Sequence, residues 1–268
     1  MGPRIGLIAG GGDFPLLALA EAKKNGFACV VAGLRGAASA ELKRDAEAFE
    51  WFGPTELEKL VSFLKSQDVR DAVLLGKVEH RTIFQKELRD EAVIQLLAQL
   101  PDQSPSAVLR TLIDFLTARG ISILDPSFIL APFFCPEGIL GDTPVSEAVQ
   151  TEAAFGWPLA KALADLDIGQ TLVVKGRAVV AVEGMEGTDE AIKRGARLAG
   201  EGVVVLKVGR TGQDMRIDVP AVGLETIRTL AKVRAAALVI EAGKVPVFQK
   251  EEAVKLASRE RIVVLIKQ

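Results

Sequence analysis

Ile5-Gly-Leu-Ile-Ala-Gly-Gly-Gly-Asp-Phe-Pro15 decides the fold of the first half of the chain. A short apolar run enters three consecutive glycines, and an amphipathic stretch, Phe14–Lys24, follows. That is the order strand, tight loop, helix. Pro15 sits where a first helical turn tolerates a missing N–H, and Asp13 stands at the N-cap position. Working outward, Ala28–Ala32 and Ala48–Phe52 read as further strands. Pro54 opens a helix to Ser66 with Leu57, Leu60, Val61 and Leu64 on one face. Asp71–Leu75 reads as a fourth strand, ending in Gly76-Lys77. Strands alternating with helices over short connections imply right-handed crossovers and a parallel sheet covered by helices.

From Ile83 to Arg119 the pattern is helical, broken near Pro101 and Pro105, and Ile121–Leu124 reads as a last strand. The proline-punctuated stretch Pro126–Pro144 separates this unit from a second one. The expected division is a domain over 1–132, a linker over 133–144 and an α+β domain over 145–268. In the second half a helix over 146–166, interrupted near Pro158, precedes two strands, Thr171–Lys175 and Ala178–Glu183, joined by a Gly176-Arg177 hairpin. Helices follow at Thr188–Ala199, Leu224–Lys232 and Lys250–Ser258. Strands follow at Val203–Val208, Ala237–Glu241, Val245–Phe248 and Ile262–Ile266, with an extended stretch at Arg216–Val219. The mixture predicts a mixed sheet, and the whole chain an α/β protein.

The 268 residues carry 33 Lys+Arg against 35 Asp+Glu, a net charge of -2, which excludes a strongly basic nucleic-acid footprint. Apolar residues at 49% and charged residues at 25% exclude disorder. No stretch is long and apolar enough to span a bilayer, and the N-terminus, interrupted by Asp13 and Pro15, does not read as a signal peptide. Cys29 and Cys135 form no CxxC pair, so free thiols and a reducing, cytoplasmic setting are expected.

Four stretches point to chemistry. Gly10, Gly11, Gly12, Asp13 and Phe14 lie where an open parallel sheet binds ligands, at a helix N-terminus. Pro15 replaces the third glycine of a dinucleotide fingerprint, and no acid ends the second strand, so an NAD-type ribose contact is missing. Lys77 follows the fourth strand at the same edge, with His80 and Arg81 beyond it. Gln213-Asp-Met-Arg-Ile-Asp-Val-Pro220, if extended, puts Asp214, Arg216 and Asp218 on one face and Met215, Ile217 and Val219 on the other. That face is either a compact site for a divalent metal and a phosphate or a surface ion-pair ladder. Glu183-Gly-Met-Glu-Gly-Thr-Asp189 precedes a helix, with Thr188 as N-cap and with more glycine and acid than capping needs. Lys175, Lys193, Arg194 and Lys207 supply positive charge nearby. Abundant loop Asp and Glu without His or Cys clusters point to Mg²⁺, with Mn²⁺ as a second choice, rather than zinc.

The blocks IGLIAGGGDFP, LLGKV, LDIGQTLVVK, AVEGMEGTDEAIKR, LKVGRTGQDMRIDVPAVGLETI and IEAGK, in this order, span nearly the whole chain. Together they resemble the metal-dependent, two-domain UDP-2,3-diacylglucosamine pyrophosphatases of the bacterial lipid A pathway. The resemblance implies a Rossmann-like N-terminal domain, a distinct C-terminal domain, and substrate held between them. It implies Mg²⁺-dependent cleavage of UDP-2,3-diacylglucosamine to UMP and 2,3-diacylglucosamine 1-phosphate. The essential aspartate of that family matches Asp218, either as a metal ligand or as the group that activates water, and the resemblance extends that catalytic and metal-binding role to Asp214 and, more weakly, to Gln213. Candidate substrate-binding residues are Gly10, Gly11, Gly12, Asp13, Phe14, Lys77, Gln170, Lys175, Glu186, Gly187, Thr188, Asp189, Lys207, Gln213 and Arg216. The apolar run Phe128–Phe134 is read either as lining for acyl chains or as packing. The expected setting is cytoplasmic, with weak peripheral contact at the inner membrane, and a homodimer is compatible with the composition. The competing reading is a nucleotide-binding module or NAD-type oxidoreductase built on the first sheet.

Overall fold

The computed structural model describes residues 2–53, 55–77, 100 and 105–268. The chain divides into two compact units, Met1–Leu130 with Asp214–Asp218, and Ala131–Gln213 with Val219–Gln268.

The first unit runs β1 (Arg4–Ala9), α1 (Phe14–Lys24), β2 (Ala28–Leu34), α2 (Leu42–Asp45), β3 (Ala48–Phe52), α3 (Leu57–Ser66), β4 (Asp71–Leu75), α4 (Pro105–Ala118), β5 (Ser122–Ile123) and α5 (Ser127–Leu130). Its five strands are all parallel in the order β3-β2-β1-β4-β5. This is the Rossmann-like sheet the strand–helix alternation predicts. Central strands buried on both faces explain the continuous Val/Ile/Leu runs. Ile8, Val30, Ala32 and Ala72 meet Leu60, Val61 and Leu64 of α3 and Ile113 and Leu116 of α4 on one face. Ile5, Leu7, Val31 and Val73 meet Ala18, Leu19 and Ala22 of α1 on the other. The four apolar positions expected on one face of α3 are all buried.

The second unit runs β6 (Gly138–Leu140), α6 (Glu147–Asp165), β7 (Thr171–Lys175), β8 (Ala178–Val182), α7 (Thr188–Ala199), β9 (Val204–Lys207), α8 (Leu224–Lys232), β10 (Ala237–Glu241), α9 (Lys250–Arg259) and β11 (Val263–Lys267). Its sheet has the order β6-β11-β10-β9-β7-β8 and is mixed, as expected: β9, β10 and β11 are parallel, while β6, β7 and β8 run antiparallel to their neighbours. Ile192 of α7, Ile227 and Leu230 of α8 and Ala253 and Ala257 of α9 cover one face. Val149, Ala153, Ala160 and Leu163 of α6 cover the other. The β7–β8 connection is the two-residue hairpin read from the sequence. Gly176 and Arg177 have φ of 61° and 55°, the paired positive values of a primed turn.

Several expectations are corrected. Helix α6 is continuous through Pro158. A proline inside a helix costs about 3 kcal/mol, but the buried residues on both sides of it seat the helix on the sheet, and Ser146 caps it through the Val149 N–H. Residues 245–248 do not form a strand and pair only through a single bridge from Val247 to Val222. The edge strand β6, two residues of exposed pairing backbone beside a half-buried Leu140, left no apolar alternation to read. Residues 215–217 are a turn, not extended backbone. Among the described residues no helix is long and apolar enough to cross a membrane. Cys29 and Cys135 are buried free thiols.

Candidate functional site

In the first unit the strand order reverses at β1, between β2 and β4, and the loops after β1 and β4 leave the sheet at this switch point. Ligands of open α/β sheets bind at such a place. Here the two loops are stitched to each other. Gly10 N donates to the Leu75 carbonyl at 2.7 Å, Gly11 N to the Lys77 carbonyl at 2.7 Å, and Lys77 N to the Gly11 carbonyl at 2.9 Å. A Cβ at Gly10 would lie 2.5 Å from the Lys77 oxygen, so glycine is required there by close backbone approach. The first two glycine amides thus serve the sheet's own edge. Gly12 has a φ of 87° and open space around its Cα, and Asp13 stands at the N-cap of α1 without a side-chain capping bond. Phe14 packs beside the α1 core. Lys77 is exposed. His80 and Arg81 lie outside the described residues.

The Gln213–Pro220 stretch is organised by Asp214. Its main-chain oxygen accepts from Ile217 N at 3.1 Å and Asp218 N at 3.3 Å, which closes one helical turn. Its Oδ1 also accepts from Arg216 N at 3.1 Å, an Asx turn. This local bonding is why the expected strand does not form: the side chain offers the backbone a turn instead. Arg216 then grips the same carboxylate with Nε at 2.9 Å on Oδ1 and Nη2 at 2.7 Å on Oδ2. The Arg216 guanidinium holds the Asp214 carboxyl below the usual range against a smaller desolvation effect, and Asp214 in turn raises Arg216. Met215 is buried and Ile217 packs on the core beneath α3 and α4. Asp218, four residues beyond Asp214, is exposed.

The second unit gathers a polar cluster at the start of α7. Lys207, the buried last residue of β9, donates to Thr188 Oγ1 at 2.7 Å and Thr171 Oγ1 at 3.2 Å, and lies 3.6 Å from Glu183 Oε2. Thr188 donates to Glu183 Oε1 at 2.9 Å. Burial pushes the Glu183 carboxyl up, yet the Lys207 charge, the two threonine hydroxyls and the Gln170 backbone outweigh it and hold the group below its ordinary value. With its hydroxyl engaged there, Thr188 does not cap α7. Gly187 does, at a φ of 84°. Asp189 Oδ1 is buried beside this cluster with no hydrogen-bond partner among the described residues. The structure therefore brings Gln170, Thr188 and Lys207 together, and adds Thr171 and Glu183, which sequence reasoning did not select. The signs of Glu183 were its place at the end of a strand and at the head of the glycine- and acid-rich stretch to Asp189. Lys175 is elsewhere, donating to the Ala199 and Glu201 carbonyls at 2.8 and 2.6 Å past the end of α7. Glu186 turns to Arg194 and to the Gly184 N–H. Gln213 accepts from Arg210 N at 3.0 Å.

Among the described residues no group of three or more His, Cys, Asp or Glu side chains could hold a metal. Mg²⁺ does not need one, since it keeps several waters and takes one or two carboxylates with substrate oxygens. Asp218, exposed and hard in its oxygen donors, fits that requirement. Asp214 has both oxygens on Arg216.

Residues 4–133 match the LpxI N-terminal domain and residues 136–265 the LpxI C-terminal domain. The chain is built of the two LpxI domains. A relative from Caulobacter vibrioides, named UDP-2,3-diacylglucosamine pyrophosphatase LpxI, is 28% identical over 274 residues, covering 98% of this chain and 96% of that one. Two solved structures that the chain resembles are distant likenesses. N5-carboxyaminoimidazole ribonucleotide synthetase from Thermotoga maritima has a TM-score of 0.27 at 18% identity, over 65% of this chain and 34% of that one. The biotin carboxylase subunit of pyruvate carboxylase has a TM-score of 0.28 at 12% identity, over 74% and 42%. This chain thus spans less than half of either protein, and neither bears on the site. The glycine loop and Lys77 fall in the LpxI N-terminal match, and Glu183, Thr188, Lys207 and the Asp214–Asp218 turn in the LpxI C-terminal match.

Proposed function

We propose that this protein hydrolyses the phosphoanhydride of UDP-2,3-diacylglucosamine, releasing UMP and 2,3-diacylglucosamine 1-phosphate in lipid A biosynthesis. The observation that carries the reading is the likeness to the Caulobacter vibrioides LpxI, which runs through 98% of the chain. Water adds to one phosphorus and gives its protons up to solvent, the bridging P–O bond breaks, and the departing phosphate takes the electron pair. Asp218 is assigned as the reacting-site carboxylate and the protein ligand of a divalent cation, Mg²⁺ by donor type. When bound, that cation neutralises charge on the diphosphate oxygens. Asp214 orients Arg216, whose guanidinium faces phosphate with the donors Asp214 leaves over. Lys77 adds a cationic donor at the sheet edge. The engaged amides of Gly10 and Gly11 weigh against a dinucleotide site in the same loop.

The substrate's two acyl chains belong in a bilayer, so the reading places the protein at the cytoplasmic membrane surface as a peripheral visitor. Purified protein given UDP-2,3-diacylglucosamine in detergent micelles with Mg²⁺ should release UMP, and Asp218→Ala should not while keeping the wild-type unfolding curve. UMP release by that variant at the wild-type rate removes Asp218 from the mechanism. No UMP from wild type rejects the function.

A further inference from the structure

Glu241 ends β10 with a buried side chain, and its carboxylate is surrounded by donors. Lys161 Nζ of α6 reaches both oxygens at 2.9 Å, Gly209 N donates to Oε2 at 2.9 Å, and Lys244 Nζ lies 3.3 Å from Oε1. The same two lysines donate onward into one loop, Lys161 to the Gly209 carbonyl at 2.6 Å and Lys244 to the Arg210 carbonyl at 2.9 Å. Farther along, Asp165 of α6 accepts from Thr211 N at 2.6 Å and Thr211 Oγ1 at 2.8 Å, and Arg210 pairs with Asp167. Gln213 closes the loop by accepting from Arg210 N at 3.0 Å.

Surface loops ordinarily leave such backbone groups to water. In this one Gly209 N and O, Arg210 O and Thr211 N bond to side chains drawn from a helix, a strand end and the turn after it, and Arg210 N bonds to Gln213 of the loop itself. Glu241 is the centre of the arrangement, because it holds both lysines and also binds the first amide of the loop. Two ammonium groups converge on it, and without the carboxylate they would repel each other in a poorly solvated place.

We infer that Glu241 is a positioning residue: with Lys161 and Lys244 it fixes the Gly209–Gln213 loop, and so the setting of Gln213 and the entry of the chain into Asp214–Asp218. This rests on the hydrolase reading above, in which that stretch reacts. A glutamine at 241 keeps the size but swaps one acceptor for an N–H₂ that faces donors.

The test compares wild type, E241Q, Lys161→Met and the double variant, using UMP release and amide hydrogen exchange. The expected result for E241Q is faster exchange at residues 209–213 with exchange in β1 and β4 unchanged. Its kcat should fall at least about tenfold with KM within roughly twofold, as loss of orientation rather than of binding requires. Lys161→Met should add little to E241Q, since both break one network. Should E241Q fail to fold, Lys244→Met, at a half-buried lysine, carries the test with a smaller loss of the same kind. Wild-type turnover with kcat unchanged in the folded variants overturns the inference alone. A wild type that releases no UMP overturns the hydrolase reading and the inference together.

Discussion

Arg216 binds Asp214 through both carboxylate oxygens while standing only two residues away from it, so the side-chain pair and the backbone turn lock one another. The Asp214 carbonyl also accepts the Ile217 and Asp218 amides, so the same residue closes the turn that carries Asp218. Asp214→Asn keeps one acceptor for the turn but gives up the charge that the guanidinium needs. UMP release should fall by roughly one to two orders of magnitude, as for the loss of a charge-assisted, orienting contact. Arg216→Lys, which cannot make a forked contact, should show a comparable loss in the same assay.

Removal of the proposed divalent cation should stop turnover reversibly. Dialysis against a chelator should abolish UMP release, and Mg²⁺ or Mn²⁺ should restore it. Asp218→Asn should need more Mg²⁺ for half-maximal rate if any rate remains. Titrating activity against Mg²⁺ in both proteins checks this.

Lys207 and Glu183 form a charge pair inside the second unit, and removing one partner leaves the other uncompensated. Lys207→Met should destabilise the protein by about 3 kcal/mol, and adding Glu183→Gln should recover part of that loss. Urea unfolding curves of the three proteins decide it.

The same pair sets an acid limit. The Glu183 carboxyl titrates below its ordinary value in the folded protein, so its stabilising contribution is complete above the unfolded-state value and fades as pH drops through the folded one. Glu183→Gln should therefore be less stable than wild type at neutral pH, with the gap closing in acid below the ordinary carboxylate range. Thermal unfolding from pH 7 down to pH 3 measures the gap.

Gly10→Ala would push a Cβ against the Lys77 carbonyl, at a separation of 2.5 Å that backbone must move to relieve. A loss of about 1–3 kcal/mol is expected from such overpacking. Gly12→Ala meets no neighbour but must hold a φ of 87°, so its cost should be purely conformational, about 1 kcal/mol. Denaturant midpoints of the two variants separate these causes.

The sequence made the first unit legible because a parallel sheet writes itself as apolar runs, glycine turns and one-sided helices. β1, α1, β3 and the buried stripe of α3 all follow from that. The Gly176-Arg177 hairpin was visible for the same local reason. The 214–218 turn was not, because alternating charged and apolar residues suit a strand equally well, and only the reach of the Asp214 side chain chooses between them. Thr188 looked like a helix cap because its competing partner, Lys207, is 19 residues away in sequence. Glu241 lay within the IEAGK block but was not singled out there: Lys161 lies 80 positions before it, and long-range polar networks leave no periodicity.

The backbone bridge between Gly11 and Lys77 makes the first glycine loop and the segment after β4 mechanically a single part. Changes at Gly76 or Lys77 will be transmitted to the beginning of α1 as directly as changes in the glycines themselves. Natural variants in either stretch should therefore be inherited as matched sets rather than singly.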